Sequence, residues 1–169
     1  MSSFQYMTVT PSKSEGQHLV DSAQASSKSF VRYHKNANHD GMVAQSNQGW
    51  STLLELFVFL RNEEDAGRIP STRMQAATAK IIKKTTAGVV NQAVNGKKLP
   101  KGIGKSDASL REALNKIAHK NMLMSTFRVA RTGAHYLILS GPEQNPLNGF
   151  WVIEIHMSTL FKRCREAMA

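Results

Sequence analysis

Two groups of residues in this chain have the types and spacing for chemistry on phosphate. The first is "KKLPKGIGKS", where Lys97, Lys98, Lys101 and Lys105 crowd ahead of Ser106 and an amphipathic stretch. Lysine ammoniums and the free N–H groups at a helix start both favour phosphate oxygens. The second is Glu154 and His156, two apart in "WVIEIHM" and so on one side of a strand, with His34, His39, Asp40 and His135 elsewhere. A His or Glu as base, with Lys or Arg stabilising the phosphorane, is the chemistry of a small basic ribonuclease. No nucleophile, base and stabiliser fall together along the chain, so the expectation is binding without catalysis, and ribonuclease is the alternative. His34 and His39 are a weak metal pair, no Cys or His spacing suits zinc, and "KGIGK" lacks the GxxxxGK[ST] of a phosphate-binding loop. No metal or cofactor is expected.

The charge balance names the class of partner. The chain carries a net +10 over 169 residues, and the excess is concentrated. Residues 68–131 hold 14 basic and two acidic side chains, a net of +12, while the rest of the chain is at −2. A concentrated positive segment suits a polyanion, because each phosphate contact releases counterions and the field steers association. The longest apolar run, Leu56 to Leu60, falls far short of the ~20 residues of a membrane span. The single cysteine, Cys164, excludes an internal disulfide and points to a reducing, cytoplasmic compartment.

Positioning these residues requires a fold, and the periodicity outlines one. Residues 1–29, rich in Ser, Gln and Thr, read as a flexible polar arm, residues 30–49 as an ambiguous lead-in, and residues 50–169 as the folded domain. "WSTLLELFVFLRNEEDAG" predicts a buried helix closed by Gly67. "PSTRMQAATAKIIKKTTAG" predicts a second helix, capped by Ser71 or Thr72, with Met74, Ala77 and Ile81 inward. Arg73, Lys80 and Lys84 then line one flank, Lys83 points away, and "VVNQAVNG" adds a helical turn or two. Past the lysine loop, Ser106 caps a helix with Asp107 in its first turn. Leu110, Ala113, Leu114 and Ile117 form its buried stripe, and Ser109, Arg111, Asn115 and Lys116 lie on its other faces. The period then falls to two in "MLMSTFRVAR", "TGAHYLILSG" and "GFWVIEIHM", which predicts a small antiparallel sheet before a short closing helix.

Helices, the last preceded by a basic loop, followed by strand, turn and strand, resemble a winged helix-turn-helix domain. The layout is similar to that of small plasmid replication initiators of the RepL-like family, through "GWSTLLELFVFL", "PSTRMQAATAKII", "KSDASLREALNKIAHKNML" and "STFRVARTGAHYLIL". One departure is the long "TTAGVVNQAVNGKKLPKGIGK" where the family has a short turn. It is either an insertion or contains the true second helix. The resemblance implies an α+β, winged-helix-like fold and a homodimer that binds double-stranded DNA, in replication initiation or transcription regulation of a plasmid or phage. The Ser106 helix would enter the major groove, with Ser106, Ser109, Arg111 and Asn115 at base edges, and Arg128 and Arg131 would flank a wing near Gly133. Lys97, Lys98, Lys101, Lys105 and Lys116, with Arg73, Lys80, Lys83 and Lys84, would hold phosphates. An RNA-binding or virus-structural protein is the other reading. The aromatics Phe127, Tyr136, Phe150 and Trp151 separate the two: burial under helices favours the winged helix, exposure on the sheet favours single strands.

Overall fold

The computed structural model describes residues 13–169, so residues 1–12 of the expected arm lie outside the described residues. From Lys13 onward the arm expectation is corrected, because α1 (Lys13–Lys35) is a continuous helix. Val20, Ala23, Phe30 and Val31 are buried at helical spacing along it. It packs against α2 (His39–Asp65), a longer helix that starts before the expected Trp50. The Asn38 side chain accepts the Gly41 N–H at 2.9 Å and starts α2, so the lead-in is a helix end, a turn and a helix start. Small residues let the terminal elements close on one another. A Cβ at Gly16 would run into the Phe59 ring and the Met168 sulfur.

The expected second helix lasts one turn, as α3 (Ser71–Met74), and β1 (Ala77–Thr85) follows. Helical spacing of Met74, Ala77 and Ile81 is misleading here: Met74 and Ile81 are buried but Ala77 is exposed. Thr78, Ile81, Ile82 and Thr85 are β-branched, and Ile81 and Ile82 bury on opposite faces of a sheet covered on both sides. Lys80 and Ile82 therefore share one face, and Lys83 lies on the other. The stretch "VVNQAVNG" falls within α4 (Ala87–Gly96), capped by the Thr86 hydroxyl accepting the Val89 N–H at 3.3 Å.

After the lysine loop comes β2 (Ser106–Ser109), which pairs antiparallel with β1, and only then α5 (Leu110–Ala118). The cap is Ser109, whose Oγ accepts the Glu112 N–H at 3.1 Å, and not Ser106. "SLRE" has the Ser-x-x-Glu spacing that favours a helix start, whereas Ser106 is an exposed strand residue. Ser109→Ala is expected to cost about 1 kcal/mol in urea unfolding and Ser106→Ala almost nothing. Equal effects would move the cap back to Ser106.

A single turn of 3-10 helix at Met122–Met124 leads into β3 (Thr126–Val129), β4 (His135–Pro142), β5 (Phe150–His156) and α6 (Met157–Met168). The five strands form one antiparallel sheet in the order β2-β1-β5-β4-β3. The class is α+β, with helices and a small antiparallel sheet, and the β3–β4 hairpin follows α5 where a winged-helix-like layout places its wing. Helices α1, α2, α5 and α6 cover one face of the sheet, burying Leu114, Ile117, Trp151, Ile153 and Phe161 together. The other face packs Ile82, Ile138 and Val152 against Val90 and Ala93 of α4 and Leu99 of the lysine loop. Cys164, on the inner side of α6, is fully buried. Among the described residues no helix is long and apolar enough to cross a membrane.

Candidate nucleic-acid interface

Only part of the second sheet face is covered. Beyond α4 and Leu99 a cleft of about 400 Å³ stays open, lined by Lys80, Lys105, Asp107, Tyr136, Glu154 and His156 among others. Sheet register assembles it from distant segments. Lys80 stands opposite Glu154 on one side and Asp107 on the other, and Tyr136 stands between His156 and Arg128. Lys80 is ion-paired with Asp107, both largely exposed. Tyr136 stacks on His156 with centroids 4.7 Å apart, and the Arg128 guanidinium lies 4.1 Å over the Tyr136 ring.

Glu154 is held on both oxygens. Arg128 donates to one at 2.8 Å and the Leu99 N–H to the other at 2.9 Å, while Arg128 also donates to the Lys97 carbonyl. These bonds lash the lysine loop across the sheet, from Lys97 at the β3 edge to Lys105 at the cleft. Lys97, Lys98, Lys101 and Lys105 are all exposed. None has an acidic partner among the described residues; Lys97 has only the Phe127 ring, 5.7 Å from its Nζ. His156 bonds the Thr159 and Ser158 hydroxyls through its two ring nitrogens, each at 3.1 Å.

His156 also lines a second groove, of about 440 Å³, that runs to the hairpin tip. Lys28 and Lys35 of α1 border it, opposite Thr132 and Gly133. Gly133 makes the tip with a left-handed φ of 88°, and its N–H donates to Ala130 at 2.9 Å. Lys35 Nζ lies 3.4 Å from where a Gly133 Cβ would be, and Arg131 is exposed beside it. The two grooves share His156. Reading residues 1–29 as an arm hides Lys28, and reading residues 30–49 as a lead-in hides Lys35, although Val20, Ala23, Phe30 and Val31 have helical spacing across the two.

The remaining expected contacts are elsewhere. Arg111 faces α2, with Nη1 2.5 Å from the buried Glu64 carboxylate and 3.5 Å from Asp65; hydrogen bonding to Glu64 raises its pKa further. Lys116 lies 4.5 Å over the Trp151 ring, and desolvation there lowers its pKa. Asn115 is half-buried near Arg111, and Ser109 is occupied as the cap. Lys83 pairs with Glu112 at 2.7 Å, and Arg73 donates to the Ala167 and Ala169 carbonyls at the end of α6. Lys84 is exposed, its N–H bonded to Glu143 at 2.9 Å. Ser106 is exposed at the β2 edge.

The expectation of one docking edge, loop plus helix start, is therefore corrected. The loop packs on one face of the sheet and α5 on the other, because Ser106–Ser109 runs as an edge strand between them. Every residue of α5 is buried or partly buried. The aromatics divide as well: Trp151 is buried under the helices and Phe127 packs on Phe30, while Tyr136 lies on the open face. α6 turns Leu160, Phe161, Cys164 and Met168 inward and shows Ser158, Lys162 and Glu166 outward. Compared with known proteins, the chain matches no family model, no curated protein and no solved structure.

Proposed function

We propose that the protein binds nucleic acid through its phosphate backbone, along a basic track from the lysine loop past Lys80 and His156 to Lys28, Lys35 and Arg131. The observation that carries this is that His156 lines both grooves, between the loop lysines and Lys28, Lys35 and Arg131, none of which has an acidic partner among the described residues. Duplex DNA is the ligand, gripped by the loop on one side and the hairpin on the other. Sequence reading by α5 is not part of the proposal, since Arg111 and Lys116 are spent on Glu64 and Trp151. The role implied by the resemblance, replication initiation or transcription control as a dimer, belongs to the same proposal. Binding without catalysis is supported by the full engagement of the Glu154 carboxylate and both His156 nitrogens.

A second reading has one observation behind it. The Arg128–Tyr136–His156 stack on the open face is a platform on which an unpaired base could stack, which favours single-stranded DNA or RNA. A salt series of binding to random duplex DNA, single-stranded DNA and duplex RNA separates the two. Duplex DNA preference with a steep salt slope supports the first, and single-strand preference lost in Tyr136→Ala supports the second. Flat salt dependence with all three sinks both.

A further inference from the structure

The helical side of the sheet holds a different feature, independent of the basic track. Between α1, α2 and strands β3 and β4 lies a cavity of about 350 Å³. Its walls are mostly apolar and rich in rings and sulfur: Phe30, Trp50, Phe127, Met42 and Met157, with Leu137. Polar side chains line it too, Ser27, Gln45, Asn47 and Thr126 among them, and two of its lining residues have a buried nitrogen with no hydrogen-bond partner among the described residues, Trp50 Nε1 and His135 Nε2. Native proteins pair nearly all buried polar atoms, so two unpartnered nitrogens on residues that line one cavity call for an explanation.

We infer that this cavity is a binding site for a small aromatic molecule bearing a carbonyl or carboxylate oxygen, held by hydrogen bonds from the Trp50 indole and the His135 ring. The indole can only donate. His135 Nδ1 is 2.7 Å from the Ser27 hydroxyl, and with Ser27 donating to Nδ1 the proton resides on Nε2. Both orphans are then donors, and an oxygen acceptor satisfies them. The ring face of His135 is fixed by stacking on Phe30 at 5.0 Å, so the donor is pre-oriented. The volume is at the lower end of small-molecule sites, and rings and thioethers suit an aromatic body. Val43 and Met122, both well exposed, stand on its lining as a rim.

The test uses three probes that share a benzene ring and differ in oxygen: acetophenone, benzoate and ethylbenzene. Binding is followed by the Trp50 indole 1H–15N signal, with Trp151 as the internal reference because its indole already donates to the Pro142 carbonyl at 3.0 Å. The expected result is a shift of the Trp50 signal by an oxygen-bearing probe, with affinity about tenfold above ethylbenzene. In Trp50→Phe, which keeps a ring, that advantage falls to within about threefold. His135→Phe gives the same loss, so one variant suffices if the other fails to fold. Equal binding of ethylbenzene would overturn the inference and leave a plain apolar void. So would an unmoved Trp50 signal with all three probes, which would leave water as the partner of both nitrogens.

Discussion

Reversing the charge of Lys101 and Lys105 together is expected to weaken duplex DNA binding on the order of 100-fold at ~0.1 M salt, and to take about two from the magnitude of the log–log salt slope. Arg111→Ala should leave binding within about twofold. The contrast follows from where the charges are. Lys101 and Lys105 are exposed on a loop whose backbone is pinned by Glu154 through Leu99, so their positions are set but their ammoniums are free. Arg111 is committed to Glu64, whose side chain is 5% exposed. Its removal strands a buried carboxylate and is expected to cost about 1–2 kcal/mol in stability, the lower end applying because the guanidinium itself is partly solvated. Filter binding or anisotropy across salt, beside urea melts of each variant, checks both halves. Loss of binding in Arg111→Ala with unchanged stability would restore α5 as the docking element.

The second large effect is on stability against pH. Burial, with a further push from His34, lowers the His135 pKa from 6.5 to about 4. The folded state thus binds fewer protons than the unfolded state between these values, and stability rises with pH across that window. The contribution of neutral His135 is fully present above about pH 6.5 and is lost progressively as pH falls toward about 4. Integrated over the window it amounts to about 3 kcal/mol. His135→Phe should flatten the difference between unfolding at pH 7 and pH 4.5 relative to wild type. An equal loss of stability in both proteins would place the acid sensitivity in other groups.

Legibility followed the range of the interactions. The part of α2 after Trp50 could be read from the density of its apolar residues, and α5 because Leu110, Ala113, Leu114 and Ile117 recur at helical spacing. The hairpin could be read from alternation around Gly133. α1 was hidden because its buried face includes Ser26 and Ala23, small residues that carry almost no hydrophobic signal but permit close packing on α2. β1 was mistaken for helix because a strand buried on both faces places Ile81 and Ile82 side by side and erases the period of two. The lysine loop was legible from composition alone. Its neighbours in the track were not: Lys80, Tyr136 and His156 meet only through sheet register, and Lys28 and Lys35 only through the packing of α1. The Trp50–His135 cavity is of the same non-local kind.

Cys164 offers an experimental handle. It is the chain's only thiol, lies fully inside, and burial pushes its pKa up to about 12. As a thiolate is the reactive form, the folded protein is inert to alkylation, and two native copies cannot be joined through sulfur. Every labelling event must pass through an opening that lifts α6 from the sheet. With reagent slow relative to closure, the labelling rate divided by that of a free thiol equals the opening equilibrium constant. One native residue thereby reports the opening equilibrium of the C-terminal helix, and comparing that constant with the global unfolding free energy tells whether α6 leaves alone or with the whole fold.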